Sequence, residues 1–102
     1  MAKPKIKIEW SNRATTHFYE ILEYLEKESE QAVSIVGNAI LDEIESLVNH
    51  PTKHPFDRFR KNNKAGNFRA CVVFSYRISY LVENNIIYIL RIRHTSREPL
   101  EY

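Results

Sequence analysis

The hydrophobic pattern of this chain changes its period once, and that change limits the folds it can adopt. From residue 11 to residue 49, apolar residues recur every three or four positions, which is the spacing of amphipathic helices. From residue 68 to residue 93, they alternate with polar residues or form short apolar runs, as in β-strands. A chain with its helices first and neighbouring strands after them is predicted to fold as an α+β domain.

The helical region divides into two amphipathic stretches, predicted at about residues 12–28 and 30–49. Ser11 and Ser29 precede them, and a serine hydroxyl at this position can accept a hydrogen bond from the first turn. Pro51 ends the second helix, because proline disfavours helical geometry in the residue before it. Since almost no residues separate the two stretches, we expect an antiparallel helical hairpin.

Four strands are predicted, one before the helices and three after them. Residues 5–10 alternate between polar and apolar, while 68–74, 76–83 and 86–93 are separated by short turns. Short turns make consecutive strands antiparallel, so we expect a β-α-α-β-β-β order, with the hairpin on one face of an antiparallel four-stranded sheet. Strand 86–93 is the most hydrophobic and should be central. The predicted core residues are Ile6, Ile8, Phe18, Ile40, Ile44, Ile78, Val82, Ile87 and Ile89.

Length and composition indicate a single domain over residues 1–102, with a flexible tail at about 95–102. The chain has 102 residues, 43% of them hydrophobic and 27% charged, which suits one globular core. Cys71 is the one cysteine, so an intrachain disulfide is excluded and a reducing compartment is favoured. The charged N-terminus and the lack of an apolar run of about 18 residues predict a cytoplasmic protein that does not enter membranes.

Charge is distributed unevenly along the chain. Residues 1–51 carry five cationic and nine acidic side chains, a net −4, whereas residues 52–102 carry ten cationic and four acidic ones, a net +6. A basic half beside an acidic half suggests a surface that binds an anionic partner, either nucleic acid or an acidic protein segment. Two solvated faces of opposite sign would explain the same pattern.

Two strand segments carry a resemblance to a known family. The segments Tyr76-Arg77-Ile78-Ser79-Tyr80 and Ile89-Leu90-Arg91-Ile92-Arg93-His94, together with the order of elements, resemble the RelE/ParE superfamily of toxins from type II toxin–antitoxin systems. The resemblance extends from Ile6 to about Glu98. It implies a growth-inhibiting toxin of the plasmid-stabilisation type that is neutralised by a cognate antitoxin. RelE-like members cleave mRNA on the ribosome without a metal, whereas ParE-like members inhibit DNA gyrase and are not nucleases.

The resemblance to RelE-like nucleases suggests catalytic residues that apply only if the chain belongs to that branch. Metal-free RNA cleavage needs a base, cations at the phosphate and an acid. Each candidate also has a structural explanation: an arginine in the third strand can form an ion pair or contact the antitoxin, and a histidine at a strand end is often simply hydrogen-bonded. Cys71 occupies a position where such nucleases often have a second basic residue, and it is expected to be a buried small hydrophobe. The candidates are Arg69, Arg77, Arg93, His94 and Tyr102.

A second group of cations is predicted to bind a nucleic acid or protein partner. It consists of Arg58, Arg60, Lys61, Lys64, Arg91 and Arg97, and a solvated loop would explain the first four equally well. His50 and His54 lie beside prolines without a third ligand at a useful spacing, so neither a metal site nor a cofactor is predicted.

The tail that starts at His94 lacks the dense basic run typical of RelE-like nucleases. We therefore predict a ParE-like toxin that inhibits gyrase. The alternatives are a RelE-like ribosome-dependent endoribonuclease and a non-toxic binding module with the same fold. The expected partners are a cognate antitoxin and either DNA gyrase or the ribosome with its mRNA. The oligomeric state stays open between a homodimer and a toxin–antitoxin hetero-oligomer.

Overall fold

The computed structural model describes residues 5–97, except for the side chain of Arg97. It contains β1 (Lys7–Trp10), α1 (Asn12–Glu28), α2 (Glu30–Ser46), β2 (Phe68–Val73), β3 (Tyr76–Glu83) and β4 (Ile86–His94), followed by a short 3-10 helix, Thr95–Arg97. The predicted α+β class and the order of elements are therefore confirmed. The 3-10 helix forms the start of the predicted flexible tail, and residues 98–102 lie outside the described part of the chain.

The four strands form one sheet in the order β1-β4-β3-β2. The pairs β2–β3 and β3–β4 are antiparallel, as predicted for consecutive hairpins. The expectation of a wholly antiparallel sheet is wrong for β1, which pairs parallel to β4 with Lys7 opposite Ile86. β1 reaches β4 through two helices and two further strands rather than a tight turn, so its direction is not dictated by a hairpin. As predicted, β4 is central.

Serine caps begin both helices at the positions that the sequence indicates. The amide of Ala14 donates to Ser11 Oγ and that of Ala32 donates to Ser29 Oγ, each at 3.0 Å, which satisfies amides that lack a partner in the first helical turn. Ser11 also donates its hydroxyl to the carbonyl of Leu90 at 3.0 Å. This bond fixes the start of α1 against β4.

The core lies between the helices and one face of the sheet. Of the predicted core residues, Ile40, Ile44, Ile78, Ile87 and Ile89 are at most 2% exposed, and Ile6, Ile8, Phe18 and Val82 are half-buried against them. Tyr80 is the largest fully buried side chain. Cys71 is 7% exposed, which confirms its expected burial. Neither helix of the described chain is long and apolar enough to span a lipid bilayer.

The connecting segment, residues 47–67, runs along the outer edge of β2 between the two faces of the sheet. The amide of Asp57 donates to the carbonyl of Phe68 at 2.9 Å, and the amide of Ala70 donates to the carbonyl of Pro55 at 3.2 Å. Phe56 thereby forms an isolated antiparallel bridge with Arg69. The connecting segment is thus anchored to the sheet at its middle.

Candidate functional site

Arg77 in β3 is held by a buried acid from the connecting segment. Its Nη2 lies 2.8 Å from Oδ1 of Asp57, and the two side chains are only 11% and 1% exposed. The same carboxylate oxygen accepts a hydrogen bond from the amide of Phe59 at 3.0 Å, and the Arg77 guanidinium lies over the Phe59 ring, 4.6 Å from its centroid. Arg77 is thus an ion-pair residue, one of the three roles considered for it from the sequence.

An arginine of β3 and an arginine of β4 are register partners in the sheet. Arg77 pairs in register with Arg93, and Ser79 with Arg91. Ile78, next to Arg77, belongs to the core, so Arg77 points to the face opposite the helices, because successive side chains of a strand alternate. Like charges directly across two strands destabilise a sheet. The Asp57 carboxylate offsets this repulsion at Arg77.

Arg69 lies on the other face of the sheet. It pairs in register with Tyr80, which is a core residue, so both side chains point toward the helix side. Its Nη1 donates to the backbone carbonyl of His54 at 2.6 Å and to that of Thr52 at 3.3 Å. Arg69 therefore anchors the connecting segment, and the structure does not bring it together with Arg77.

The basic part of the connecting segment combines cations with aromatic rings. The guanidinium carbons of Arg58 and Arg60 lie 4.8 Å and 4.0 Å from the ring centroids of Phe59 and Phe68, which is cation–π geometry. Lys61 and Lys64 are exposed nearby in sequence. Arg58, Arg60, Lys61 and Lys64 provide a cationic surface on the connecting segment beside β2, whereas Arg91, predicted with them, lies on β4 opposite Ser79.

A cavity of about 350 Å³ is formed between α1 and the end of β4. Arg93 and His94 line it, so two of the five catalytic candidates meet here. His17 and Tyr24 of α1, Tyr76 of β3 and the hydroxyl-bearing Ser96 contribute further polar groups. Tyr102, another candidate, lies outside the described residues, as do the side chain of Arg97 and its predicted partner contact.

His17 binds the edge of β4 in the part that extends beyond its pairing with β1. The backbone amide of Ile92 donates to its Nδ1 at 3.3 Å, so this nitrogen must be unprotonated. Burial lowers the pKa of His17, and the charges of Arg93, Arg13 and Arg91 lower it further, against the opposing effect of Glu20. The neutral imidazole is therefore the form that fits the fold.

His94 is hydrogen-bonded within its own turn. Its Nδ1 accepts from the amide of Ser96 at 3.1 Å and lies 2.9 Å from the Ser96 hydroxyl. An amide can only donate, so the neutral ring carries its proton on Nε2. The ring also packs edge-on against Tyr76, with centroids 5.3 Å apart. Burial, followed by the nearby Tyr24, raises the pKa of Tyr76.

A separate cluster of potential ligands joins α2, the connecting segment and β2. One ligand atom from each of Glu43, His54 and Cys71 lies within 4.8 Å of the others. His54 Nε2 and Lys53 Nζ lie 2.5 Å and 3.0 Å from Oε1 of Glu43. Burial raises the pKa of Glu43, but the hydrogen bonds from Lys53 and His54 outweigh it and the net shift is downward. Burial raises the pKa of the Cys71 thiol to about 12.

Sequence reasoning missed Asp57, His17 and the Glu43–His54–Cys71 cluster. His17 and Ile92 are 75 positions apart, and Asp57 and Arg77 are 20 apart. No local motif marks any of these contacts. One signal was available for Asp57: it is the only acid in a segment otherwise rich in cations.

Comparison with solved structures shows which known folds the chain resembles. The chain is similar to a chain of the chromosomal ParDE toxin–antitoxin system from P. aeruginosa, with 17% identity, coverage of 88% of this chain and 96% of that one, and a TM-score of 0.68. It is also similar to a chain of the DinJ-YafQ toxin–antitoxin complex from E. coli, with 11% identity, 91% and 96% coverage and a TM-score of 0.57. At these identities the likeness shows a shared fold.

The sequence itself matches a family. No curated protein matches the chain significantly. The family model of the ParE toxin of the type II toxin–antitoxin system parDE, in contrast, matches residues 8–99, which include both helices and all four strands apart from the first residue of β1. The chain therefore belongs to the ParE toxin family of type II toxin–antitoxin systems.

Proposed function

We propose that this chain is a ParE-like toxin that inhibits DNA gyrase by binding it. The observation that carries the proposal is the family match over residues 8–99. The positions of the arginines support it, because Arg69 and Arg77 lie on opposite faces of the sheet and each is engaged by the connecting segment. A guanidinium that already binds a buried carboxylate is poorly placed to bind the phosphate of a cleaved RNA strand.

A supercoiling assay tests this proposal. Purified chain should stop gyrase from supercoiling a relaxed plasmid in proportion to its concentration. Lys61→Glu/Lys64→Glu should weaken the inhibition if the cationic surface contacts gyrase. Lys27→Glu, which reverses an exposed charge in the last turn of α1, is the control. Undiminished supercoiling at a large excess of folded chain that still arrests growth would overturn the proposal.

We also propose that a cognate antitoxin neutralises the toxin by binding the cationic surface with an acidic segment that also contains apolar residues. Two apolar side chains beside this surface are exposed to solvent. Val72 near the end of β2 is 53% exposed, and Phe74 in the turn after β2 is 61% exposed. Apolar contacts beside cations suit a peptide with both characters. The two structural neighbours come from toxin–antitoxin systems, which supports a partner of this class.

Isothermal titration with the product of the neighbouring gene tests the antitoxin. Binding should weaken as salt increases, and Lys61→Glu/Lys64→Glu should lower the affinity more than Lys27→Glu does. Co-expression of the partner should restore growth. A neighbouring protein that neither binds nor protects cells would remove this part of the proposal.

The cavity between α1 and β4 supports a second candidate, a ribosome-dependent endoribonuclease. It brings Arg93 and His94 together with His17, which could stabilise a phosphate and move protons. Primer extension on ribosome-bound mRNA should then show new cuts. Cleavage should fall in Arg93→Ala and His94→Ala but not in His50→Ala, an exposed histidine of the connecting segment. If the chain is toxic but leaves mRNA intact, this candidate is excluded. If the folded chain leaves growth unchanged, a non-toxic binding module is favoured instead.

A further inference from the structure

The Glu43–His54–Cys71 cluster has the composition of a transition-metal site. It offers one carboxylate oxygen, one imidazole nitrogen and one thiol sulfur, all within 4.8 Å of one another. Sulfur and imidazole ligands favour Zn²⁺ over Mg²⁺ and Ca²⁺, which prefer oxygen. The three residues come from α2, the connecting segment and β2, so they are brought together by the fold and not by sequence spacing.

The distances within the cluster are close to those that a tetrahedral ion requires. Zinc binds sulfur at about 2.3 Å and nitrogen or oxygen at about 2.0–2.2 Å, which places neighbouring ligand atoms roughly 3.3–3.7 Å apart. His54 Nε2 and Glu43 Oε1 are 2.5 Å apart and would separate slightly, while the most distant pair would approach by about 1 Å. Small rotations of the Glu43 and His54 side chains would provide both changes.

Contacts with neighbouring residues hold His54 in position within the cluster. The backbone carbonyl of His54 accepts a hydrogen bond from Arg69 at 2.6 Å. The imidazole ring of His54 packs edge-on against the ring of Tyr80, with centroids 6.3 Å apart. Tyr80 in turn donates its hydroxyl to the carbonyl of Pro51 at 3.1 Å. These contacts hold the backbone and the ring of His54 in place, as the residues around a metal ligand do.

Exposure leaves room for an ion to enter. The side chains of Glu43 and His54 are 26% and 21% exposed, whereas Cys71 forms the buried wall of the cluster. An ion held by three protein ligands with one side open to solvent would keep a water as its fourth ligand. Lys53 is 33% exposed and lies 3.0 Å from Glu43 Oε1, so it would have to move away.

We propose that Glu43, His54 and Cys71 form a binding site for Zn²⁺ that fastens the connecting segment to α2 and β2. The site is separate from both the cationic surface and the cavity at the end of β4. Bound zinc would stabilise the folded chain, because the three ligands are close together only in that state. It would have no direct part in inhibiting gyrase.

Cobalt substitution tests the site through a spectrum that depends on sulfur ligation. Untagged, full-length chain treated with a chelator and then titrated with Co²⁺ should develop visible tetrahedral bands and a sulfur-to-cobalt charge-transfer band, and one equivalent of Zn²⁺ should bleach both. Mg²⁺ should have no effect. Zn²⁺ should also raise the melting temperature of the chain.

Variants assign the ligands. Cys71→Ser should abolish the charge-transfer band, and His54→Ala and Glu43→Gln should each weaken binding by at least about tenfold. His50→Ala is the matched control and should bind like the parent chain. Lys53→Ala should tighten binding, roughly by up to tenfold, because it removes a competing cation from Glu43.

The proposal would be overturned if the parent chain gave no charge-transfer band, or if the band persisted in folded Cys71→Ser. It would also be overturned if His50→Ala reduced binding as much as His54→Ala does. Since Cys71 is buried, circular dichroism of each variant must show the native fold. If Cys71→Ser is unfolded, the comparison of His54→Ala with His50→Ala decides.

Discussion

Asp57 of the connecting segment and Arg77 of β3 form a buried ion pair, with 2.8 Å between Oδ1 and Nη2. Arg77→Ala should lower the free energy of unfolding by about 3–5 kcal/mol, because it leaves the Asp57 carboxylate buried without this cation. Asp57→Ala should have a similar effect. Urea denaturation of both variants measures the losses.

A double-mutant cycle separates this ion pair from general loss of packing. Asp57→Ala/Arg77→Ala should be more stable than the sum of the single effects implies, because it removes both charges. Additive losses would contradict a direct interaction. The result also affects how toxicity assays are interpreted. If Arg77→Ala no longer arrests growth, the cause can be unfolding of the chain and not the absence of a catalytic group.

Protonation of His17 should destabilise the fold at acidic pH. Its pKa in the folded chain is lowered from 6.5, so below pH 6.5 the unfolded chain binds more protons than the folded one does. Stability should therefore fall as pH decreases from 6.5 through the lowered pKa and be independent of this group at higher pH. Urea denaturation across pH measures the slope. His17→Gln should flatten it relative to the parent, whereas an equal slope in both would contradict the prediction.

Gly66 should not tolerate a side chain. Its φ is +69°, and a Cβ built there would lie 3.1 Å from the Phe56 ring. We expect Gly66→Ala to lower the free energy of unfolding by about 1–2 kcal/mol, because alanine is strained in the left-handed region and its Cβ would contact the Phe56 ring too closely. Thermal denaturation measures the loss. Asn62→Gly, at a φ of 59°, is the control and should be nearly neutral, since glycine adopts this region freely.

The Tyr80 hydroxyl should contribute measurably to stability. Tyr80 is fully buried and donates to the carbonyl of Pro51, so Tyr80→Phe leaves that carbonyl without this donor. A loss of about 1 kcal/mol in urea denaturation is expected. Tyr19→Phe removes a hydroxyl from a side chain that is 65% exposed and should change nothing. Equal stability of the two variants would contradict the proposed role.

The local elements of this fold could be predicted because their signals are local. Ser11 and Ser29 mark helix starts, and the turn at Asn84 and Asn85 has the positive φ angles that asparagine tolerates. The second helix ends at Ser46 and not near residue 49, because the residues before Pro51 form a turn. Periodicity alone could not show that turn.

The tertiary relations could not be predicted because nothing in the sequence encodes them locally. The parallel pairing of β1 with β4 depends on which strand edge remains open after the helices have packed. The faces of Arg69 and Arg77 depend on register, and a shift of one residue reverses every side chain of a strand. The β-bulge between Ser79 and Tyr80 is such an irregularity. Five candidates predicted near one sheet were therefore divided between its two faces and the undescribed C-terminus.

The bridge between Phe56 and Arg69 has a consequence for unwanted self-association. An edge strand with unpaired amides and carbonyls can recruit a strand from another molecule and start aggregation. Here the connecting segment occupies the outer edge of β2, and Pro55 has no amide hydrogen that could bond to a strand of another molecule. At the opposite end of the sheet, β1 is only four residues long and carries the exposed charges of Lys7 and Glu9. The folded chain should therefore keep a sheet that discourages edge-to-edge pairing on both sides.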